Sequence, residues 1–328
     1  MPQVPSFTIS LDFELFWGVR DHRTLENYGS SILGARKAIP QMLDLFKEYE
    51  IHATWATVGF LFYENKTALL ADLPQKFPSY KNQKYSPYTS LDTLGQNEET
   101  DLYHFGLSLI KKIQTTPFQE ISTHTYSHYY CLEEGQSIEE FDMDITKAVE
   151  VARKNGVEIK SIVFPRNQFN EAYLSILKNH NITIYRGNEE SWLYDARNRE
   201  TESIYRRALR FVDSYFNISG HHIHDLAAIN KGKEFINIPA SRFLRPYSPK
   251  LKRVEKSKLN RIKKSMLAAA RENKMFHLWW HPHNFGSFTE ENCRFLKSIL
   301  DYYLVLKKEY GMTSLNMAEL ATTVYEQK

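Results

Sequence analysis

Short apolar runs alternate with longer amphipathic segments along the chain. Ser6 to Phe13 and Ile51 to Phe60 are rich in β-forming residues and predict two buried strands. Between them, residues 38–49 place apolar side chains at helical spacing, and Pro40 suits the first turn of that helix. A strand, a helix and a second strand in this order form the unit from which parallel sheets and barrels are built.

The same alternation continues to the end of the chain. The pattern predicts further strands at 120–125, 159–164, 182–185 and 275–280, and helices at 101–113, 137–154, 171–179, 257–272 and 289–310. The helix at 137–154 opens with a capping-box pattern at Ser137. We therefore expect one α/β barrel domain over residues 1–328, with insertions around 63–100 and 195–255.

Composition and charge exclude several classes of protein. The 328 residues are 42% hydrophobic and 25% charged, which is typical of a folded globular chain and not of a disordered, collagen-like or coiled-coil one. Basic residues number 42 and acidic residues 39, and the resulting net charge of +3 argues against a dedicated nucleic-acid-binding protein.

Cysteine content and hydropathy bear on the cellular compartment. Cys131 and Cys293 are the only cysteines, so the chain has neither a disulfide framework nor a CxxC metal site. No basic segment followed by a long apolar run opens the sequence, and no apolar stretch is long enough to span a bilayer. These features predict a reduced, cytoplasmic protein.

Two carboxylates, Asp12 and Glu14, lie at the end of the first predicted strand. Residues two apart in an extended segment face the same side, so the two side chains can point together. Burying them is costly unless they bind a metal or share protons. A strand that merely emerges into solvent at this point is the alternative explanation.

Histidines and an arginine follow three later strands, at the edge where α/β barrels build their active sites. His124 and His128 are four residues apart, which suits a divalent metal, although structural histidines recur at this spacing too. Arg166 can hold a carboxylate through two parallel hydrogen bonds, or form a surface salt bridge. His281 is a natural general acid because the ordinary pKa of histidine lies near neutrality; packing against two tryptophans is the alternative.

The order and spacing of these segments resemble the polysaccharide deacetylase family, whose NodB-like catalytic domain is grouped as carbohydrate esterase family 4. The resemblance is carried by the first-strand carboxylates, the H-[ST]-x-x-H motif, the helix ending in Asn-Gly with its following strand and arginine, and the late Trp-Trp-His strand end. The segment AIPQMLDLFKEYEIHATWATVGF over 38–60 is also similar to a segment of that family. The resemblance implies a distorted (β/α) barrel of about seven parallel strands.

The resemblance also implies roles for the candidate residues. Asp12 matches the family's catalytic base, and His281 matches its general-acid histidine. His124 and His128 match the two metal-binding histidines. Arg166 matches the arginine that orients the base.

Two departures from the family pattern bear on the site. Phe13 follows Asp12 where the family usually has a second aspartate, and the segment from Arg166 reads RNQFN instead of Arg-Pro-Pro-Tyr-Gly. Glu14 returns to the face of Asp12 and is one methylene longer, so we expect Glu14 to be the third metal ligand and Asp12 to remain the base. Zn²⁺ is the default divalent ion for mixed nitrogen and oxygen ligands.

These assignments predict a metal-dependent hydrolase that removes an N-acetyl group from an amino sugar, either in a polysaccharide or in a carrier-linked precursor. Two alternatives within the same fold are an amide or imide hydrolase of a small nitrogen compound and a catalytically silent glycan-binding member. A glycoside hydrolase would need two flanking carboxylates and no metal, and the paired histidines count against it.

One feature lies outside the resemblance. Between Arg242 and Lys274, twelve basic residues stand against two acidic ones. Such an asymmetry indicates either a solvated helix face or a docking strip for an anionic carrier or a membrane surface. The sequence assigns no oligomeric state, and it leaves open the roles of four further histidines: His221, His222, His224 and His283.

Overall fold

Nine β-strands and ten α-helices alternate in the part of the protein that the computed structural model describes, residues 4–195 and 203–326. The strands are β1 (Ser6–Phe13), β2 (Ala53–Thr57), β3 (Gln119–Thr123), β4 (Ser161–Val163), β5 (Ile184–Arg186), β6 (Ile236–Asn237), β7 (Arg242–Phe243), β8 (Met275–Trp280) and β9 (Thr313–Ser314). The helices are α1 (Leu25–Glu48), α2 (Lys66–Ala71), α3 (Leu107–Thr115), α4 (Ile138–Lys154), α5 (Leu174–Asn179), α6 (Ile204–Asp213), α7 (Leu226–Ile229), α8 (Glu255–Arg271), α9 (Thr289–Tyr310) and α10 (Met317–Glu326).

Eight strands form one row in the order β6-β5-β4-β3-β2-β1-β8-β7, and their pairings are parallel. β1 lies inside the row, with Ile9 opposite Ala53 of β2 and Ser6 opposite Met275 of β8. The short β9 pairs with the start of β1. The predicted parallel α/β barrel architecture is confirmed, with eight strands in the row instead of about seven.

A single extended run joins the two ends of this row. The backbone N–H of Ile238 donates to the carbonyl of Tyr185 beside β5, at 2.9 Å. Three residues later the N–H of Ser241 donates to the carbonyl of His277 in β8, also at 2.9 Å. Part of the 195–255 stretch, which the sequence suggested to be an insertion, therefore forms the wall that distorts and closes the barrel.

The alternation of side chains in β1 separates an apolar face from a polar one. All eight residues of this strand are buried, as expected for a parallel strand covered on both faces. Phe7 packs against Tyr303 of α9, with 5.6 Å between ring centroids. On the opposite face, the hydroxyl of Ser10 is 2.8 Å from Nε2 of His277. The interior of the barrel is thus polar, and the carboxylates at the end of β1 project into it.

Helix boundaries agree with the sequence in one case and depart from it in another. α4 begins after Ser137, whose hydroxyl accepts from the N–H of Glu140 at 3.3 Å in the predicted capping box. The predicted helix at 38–49 is longer than expected, because Thr24 caps it and α1 begins at Leu25. Pro40 therefore lies inside α1 and not in its first turn.

The irregular stretch at 63–100 carries α2 and two short 3₁₀ helices at 83–85 and 87–93. It packs against the barrel through buried side chains such as Leu69 and Leu91. None of the helices in the described residues combines the length and the apolar character that crossing a membrane would require.

Candidate metal and catalytic site

The polar face of β1 ends in the two carboxylates singled out in the sequence. Asp12 is 3% exposed and Glu14 is 2% exposed, so the strand does not emerge into solvent at this point. Gly18 lies directly over Glu14, and a Cβ atom at this glycine would come within 1.9 Å of the Cδ atom of Glu14. The missing side chain at Gly18 leaves the space that the Glu14 carboxylate occupies.

Glu14 meets the histidine pair that follows β3. Its Oε2 atom is 3.0 Å from Nε2 of His128 and 3.3 Å from Nε2 of His124. The ligand atoms of the three side chains all lie within 4.8 Å of one another. Within the described residues this is the one cluster of three or more metal-ligating side chains with such geometry.

Hydrogen bonds on the far side of each ring direct the two histidines toward Glu14. His124 donates from Nδ1 to the carbonyl of Val163 at 2.8 Å, which leaves its buried Nε2 without a hydrogen-bond partner. Nδ1 of His128 lies 3.2 Å from the hydroxyl of Tyr130. Fixing the outer nitrogen in this way is how proteins orient histidines that bind metals.

The ionisation states of the cluster suit a cation. Burial lowers the pKa of His128 to about 4, against the opposing effect of Glu14, so the imidazole is neutral near pH 7. Burial acts to raise the pKa of Glu14, but His281 and the histidine pair hold it well below its ordinary value. Neutral imidazole and ionised carboxylate are the forms that bind metals. Together with the orphaned Nε2 of His124, they fit a divalent ion.

Asp12 is held by an arginine that the sequence did not single out. Arg186, the last residue of β5, donates from Nη1 and Nη2 to the two oxygens of Asp12 at 2.7 and 2.9 Å. Burial acts to raise the pKa of Asp12, but Arg186 outweighs it together with His124 and His281, so the pKa lies below the ordinary value of 3.8. Asp12 is therefore ionised at neutral pH.

The prediction that Arg166 orients Asp12 is wrong. Arg166 follows β4 as expected, but its guanidinium pairs with Asp21 and lies 3.7 Å from Glu133. The same group stands over the ring of Tyr130, 4.1 Å from the centroid. The backbone at Arg166 is left-handed, with φ of 55°, and turns this side chain along the wall of the cleft.

His281 lies at the end of β8 beside both carboxylates. Its Nε2 atom is 3.7 Å from Oδ2 of Asp12 and 3.7 Å from Oε1 of Glu14, and a quarter of the side chain is exposed. His283 is buried and stacks on His281, with 5.0 Å between ring centroids. Burial lowers the pKa of His283 to about 3, so this ring is neutral and packs behind His281.

The loop between His124 and His128 is strained and is held from below by one carboxylate. Thr125 and His128 have φ angles of 62° and 60°, which are uncommon outside glycine. Asp144 of α4 accepts from the N–H of Tyr126 at 2.7 Å, from the N–H of Ser127 at 3.1 Å and from the Ser127 hydroxyl. Asp144 therefore fixes the backbone between the two histidines.

An open cleft of about 600 Å³ gives access to these groups. Asp12, Glu14, His128 and His281 lie on its floor and walls, and Trp279 contributes an aromatic surface. Both polar and apolar side chains line it, as a polar ligand with hydrophobic faces such as a sugar requires.

Four further histidines, His221, His222, His224 and His277, do not line this cleft. His277 is buried in β8 against Ser10, and Nε2 of His224 is 3.1 Å from the carbonyl of Ala240. His221 and His222 contact serines, Ser265 and Ser219. None of these histidines joins a metal-ligating cluster among residues 4–195 and 203–326.

The basic segment at 242–274 divides into two parts. Arg242, Lys258 and Arg261 are no more than 3% exposed. Arg242 and Arg261 lie 2.9 and 3.6 Å from oxygens of Asp213, and Lys258 lies 2.8 Å from Glu255. The charges that remain exposed are those of Lys250, Lys252, Arg253, Lys256, Lys264 and Arg271.

Two important residues escaped the sequence analysis. Arg186 had the same signal as Arg166, an arginine that follows directly on a predicted strand, here the one at 182–185. Asp144 lies on the buried side of α4. A buried carboxylate with no partner on its own helix must form polar contacts with another part of the chain. The sequence therefore contained a signal for Arg186 and a signal for Asp144. Only the three-dimensional structure, however, shows that Arg186 and not Arg166 contacts Asp12.

The sequence of this chain matches a known protein family. Residues 29–185 match the sequence model described as polysaccharide deacetylase, which confirms the resemblance carried by the motifs. A search of curated proteins finds no significant match.

Solved structures share the fold along the whole chain. A protein from Mycobacterium smegmatis classed with the polysaccharide deacetylases is 12% identical, with a TM-score of 0.61 over 100% of this chain and 93% of its own. A protein of the same class from Pseudomonas aeruginosa PAO1 is 10% identical, with a TM-score of 0.54 over 98% and 90%. An allantoinase is 11% identical, with a TM-score of 0.53 over 97% and 88%. At such identities these likenesses show the fold alone.

Proposed function

We propose that this chain, whose residues 29–185 match the polysaccharide deacetylase family, is a metal-dependent hydrolase that removes an N-acetyl group from an amino sugar. One observation carries the proposal. Glu14, His124 and His128 converge in a buried cluster, and an ion-paired Asp12 and a partly exposed His281 stand beside it in one cleft. The family implies hydrolysis of amide bonds, and these residues supply the groups that such a reaction needs.

Glu14, His124 and His128 would hold one divalent ion, with Zn²⁺ the first choice for two imidazoles and a carboxylate. When bound, such an ion polarises the substrate carbonyl and makes water more acidic. Three protein ligands leave positions open, which is the arrangement of catalytic rather than structural zinc sites.

We assign the role of base to Asp12. Arg186 keeps the carboxylate ionised and fixes its orientation, so it can accept a proton from the attacking water. His281 is exposed to the cleft and close to both carboxylates, so it can donate a proton to the departing amine. Acid and base catalysis contribute about 10²–10⁴ each to the rate in enzymes of this kind.

For the substrate we propose an N-acetylated amino sugar in a polysaccharide or in a carrier-linked precursor. The mixed polar and aromatic walls of the cleft support a sugar. The exposed half of the basic segment at 242–274 supports an anionic carrier or a membrane surface nearby. A cytoplasmic location, which stays a prediction, would favour precursors over finished polymers.

The test is product analysis with metal-loaded protein. Protein reconstituted with Zn²⁺ is incubated with N-acetylated oligosaccharides, with UDP-N-acetylglucosamine and with allantoin, and acetate and primary amine are quantified. We expect equimolar acetate and amine from an N-acetylated sugar and none after the substitution Asp12→Asn. Arg294→Gln, an exposed substitution on α9, serves as the control and should retain full activity.

Other outcomes identify the alternatives. Hydrolysis of allantoin without acetate release from any sugar would favour the amide or imide hydrolase. Glycan binding by the metal-loaded protein without turnover would favour the catalytically silent member. Cleavage between sugar residues, independent of metal, would favour a glycoside hydrolase.

A further inference from the structure

A second cavity of about 270 Å³ adjoins the catalytic cleft. We call it the arginine cavity, because its lining includes Arg166, Arg210, Arg242 and Arg245. Phe243, Trp279 and His281 line both spaces, so the cavity and the cleft are adjacent.

Arg245 contributes a half-buried guanidinium group to the wall of the arginine cavity. Its Nε donates to the hydroxyl of Ser214 at 2.6 Å, and its guanidinium stands over the rings of Phe211 and Phe243 at 5.2 and 5.9 Å. No carboxylate of the described residues lies within ion-pair distance of this half-buried group. By contrast, Arg242 is neutralised by Asp213 at 2.9 Å.

The two carboxylates on the described part of the cavity wall, Glu189 and Asp195, do not neutralise Arg245. Glu189 is buried, and its pKa is raised by burial, which favours the uncharged acid. One of its oxygens also accepts from Nε1 of Trp279 at 3.2 Å. Asp195 is exposed at the rim. On the same wall, the buried Nη1 of Arg166 makes no hydrogen bond, although it lies 3.7 Å from Glu133.

The cavity is close to the reacting groups. The ring of Phe243 lies 5.9 Å from that of His281, and the guanidinium carbon of Arg245 lies 5.9 Å from the ring of Phe243. Arg245 and His281 are therefore separated by no more than two such distances. A sugar and the group attached to it can be accommodated within this limit.

We propose that the arginine cavity binds a phosphate group carried by the acylated sugar, so that the substrate is a phosphorylated or diphosphate-linked amino sugar. The inference rests on the proposed function, which places the N-acetyl group beside Asp12 and His281. A phosphate monoester carries nearly two negative charges and three acceptor oxygens, and a diphosphate linkage carries one negative charge on each phosphate; both match several guanidinium groups better than a neutral sugar or a single carboxylate does. The phosphate site thus lies inside the fold and not on the exposed face of α8.

Such a phosphate comes from a soluble nucleotide or from a lipid carrier. The helix that supplies Arg210, α6, exposes Ile204 and Tyr205 at 76% and 81%, which would suit a membrane interface. Assays with UDP-N-acetylglucosamine and with polyprenyl diphosphate N-acetylglucosamine in phosphatidylcholine vesicles distinguish the two sources. Replacing Ile204 and Tyr205 by serine should weaken only the second reaction.

The direct test uses sugars that cannot be deacetylated. Zinc-loaded protein is titrated calorimetrically with glucose 1-phosphate and with glucose, so that binding is measured without turnover. We expect glucose 1-phosphate to bind at least tenfold more tightly than glucose. Arg245→Gln should remove about a factor of ten or more of that affinity, as loss of a charge-assisted hydrogen bond does. Arg294→Gln on α9 is the matched control and should bind as the unaltered protein does.

The outcomes separate this inference from the proposed function. Equal affinity for glucose and glucose 1-phosphate, or full phosphate affinity in Arg245→Gln, would overturn the phosphate site whether or not acetate is released. Phosphate binding that depends on Arg245, in a protein that releases acetate from no sugar, would support the site and reject the deacetylase. Glucose 1-phosphate that binds only through the zinc ion would keep its affinity in Arg245→Gln and so count against the proposal.

Discussion

Asp12 on β1 and Arg186 on β5 form a bidentate ion pair across the barrel interior, with Nη–Oδ distances of 2.7 and 2.9 Å. Three strands separate β1 and β5 in the row, so the pair bridges the polar interior and does not follow the wall. Arg186 also donates to Ser10 at 2.9 Å and to Asn167 at 2.8 Å. The proposed base is therefore held by a group that is itself fixed from several directions.

Replacing Arg186 by methionine should damage both stability and turnover. The change leaves the buried charge of Asp12 without its partner, which should lower the free energy of unfolding by about 3–5 kcal/mol. Denaturant unfolding measures this loss, and acetate release measures the fall in turnover. Arg294→Met, an exposed replacement on α9, should change the free energy of unfolding by less than about 0.5 kcal/mol. If Arg166→Met reduces turnover more than Arg186→Met does, Arg166 supports the base after all.

Substitutions of Asp12 and of Glu14 should have different effects on metal binding. Asp12→Asn should keep the metal but lower turnover by about 10²–10⁴, because the amide cannot accept the proton. Glu14→Ala should lose metal affinity and activity together, since it removes the carboxylate that lies 3.0 Å from His128. Metal analysis of both purified variants, alongside acetate release, makes the comparison. Loss of metal in Asp12→Asn and its retention in Glu14→Ala would reverse the assigned roles.

Removing the histidine pair should remove the metal. Protein purified without chelator should contain nearly one divalent ion per chain, and the double substitution His124→Ala/His128→Ala should contain almost none. Zn²⁺ at 100 times its dissociation constant should stabilise the unaltered protein by about 2.7 kcal/mol and leave the double variant unchanged. His221→Ala/His222→Ala, a pair outside the cleft, is the control and should keep its metal. Undiminished metal in the first variant would rule the site out.

The exposed part of the basic segment at 242–274 should affect activity only through long-range electrostatic attraction of the substrate. Lys263→Glu/Lys264→Glu reverses the half-buried charge of Lys263 and the exposed charge of Lys264 on α8 and should weaken activity on phosphate-bearing sugars by a few fold, with an effect that fades as salt screens it. Activity on neutral oligosaccharides should not change. Measurement of kcat/KM at low and high salt for both substrates makes the test. A salt-independent effect, or an equal loss on neutral sugars, would show that these lysines do not attract the carrier.

Asp144 should make stability depend on pH. Burial raises its pKa from the ordinary 3.8 to about 7, against the three hydrogen bonds that it accepts. The folded state then binds more protons than the unfolded state between these values, so this stabilisation is complete at low pH and is lost as the pH rises through about 7.

The variant Asp144→Asn isolates this contribution. From pH 5 to pH 8 the unaltered protein should lose about 1–3 kcal/mol more of its free energy of unfolding than Asp144→Asn does. Denaturant unfolding at equal metal content measures both. Parallel pH profiles for the two proteins would mean that Asp144 titrates normally.

Local pattern was sufficient for much of the fold. Apolar runs marked β1, β2 and β8, because parallel strands that are covered on both faces must be hydrophobic throughout. The capping box at Ser137 located the start of α4 for an equally local reason. The start of α1 was missed because Thr24 caps a stretch that has little apolar periodicity of its own.

Contacts between residues that are far apart in the sequence could not be predicted from these local patterns. The sequence placed Arg166 and Arg186 at the ends of neighbouring strands, and only the direction of each side chain decides which one reaches Asp12. That direction depends on the left-handed backbone at Arg166, which the residue pattern does not predict. The arginine cavity is hidden in the sequence for the same reason, since Arg210 and Arg245 approach each other only when α6 packs beside β7.

The place of β1 in the row brings together segments that are synthesised early and late in translation. β1 pairs on one side with β2, made soon after it, and on the other with β8, whose first residue is Met275. Glu14, His124 and His128 are all synthesised before Arg186 and His281. A growing chain therefore possesses every proposed metal ligand while Asp12 still lacks its arginine. The residues of the site are synthesised in that order, with the proposed metal ligands first, the arginine that pairs with the base second and the proposed acid last.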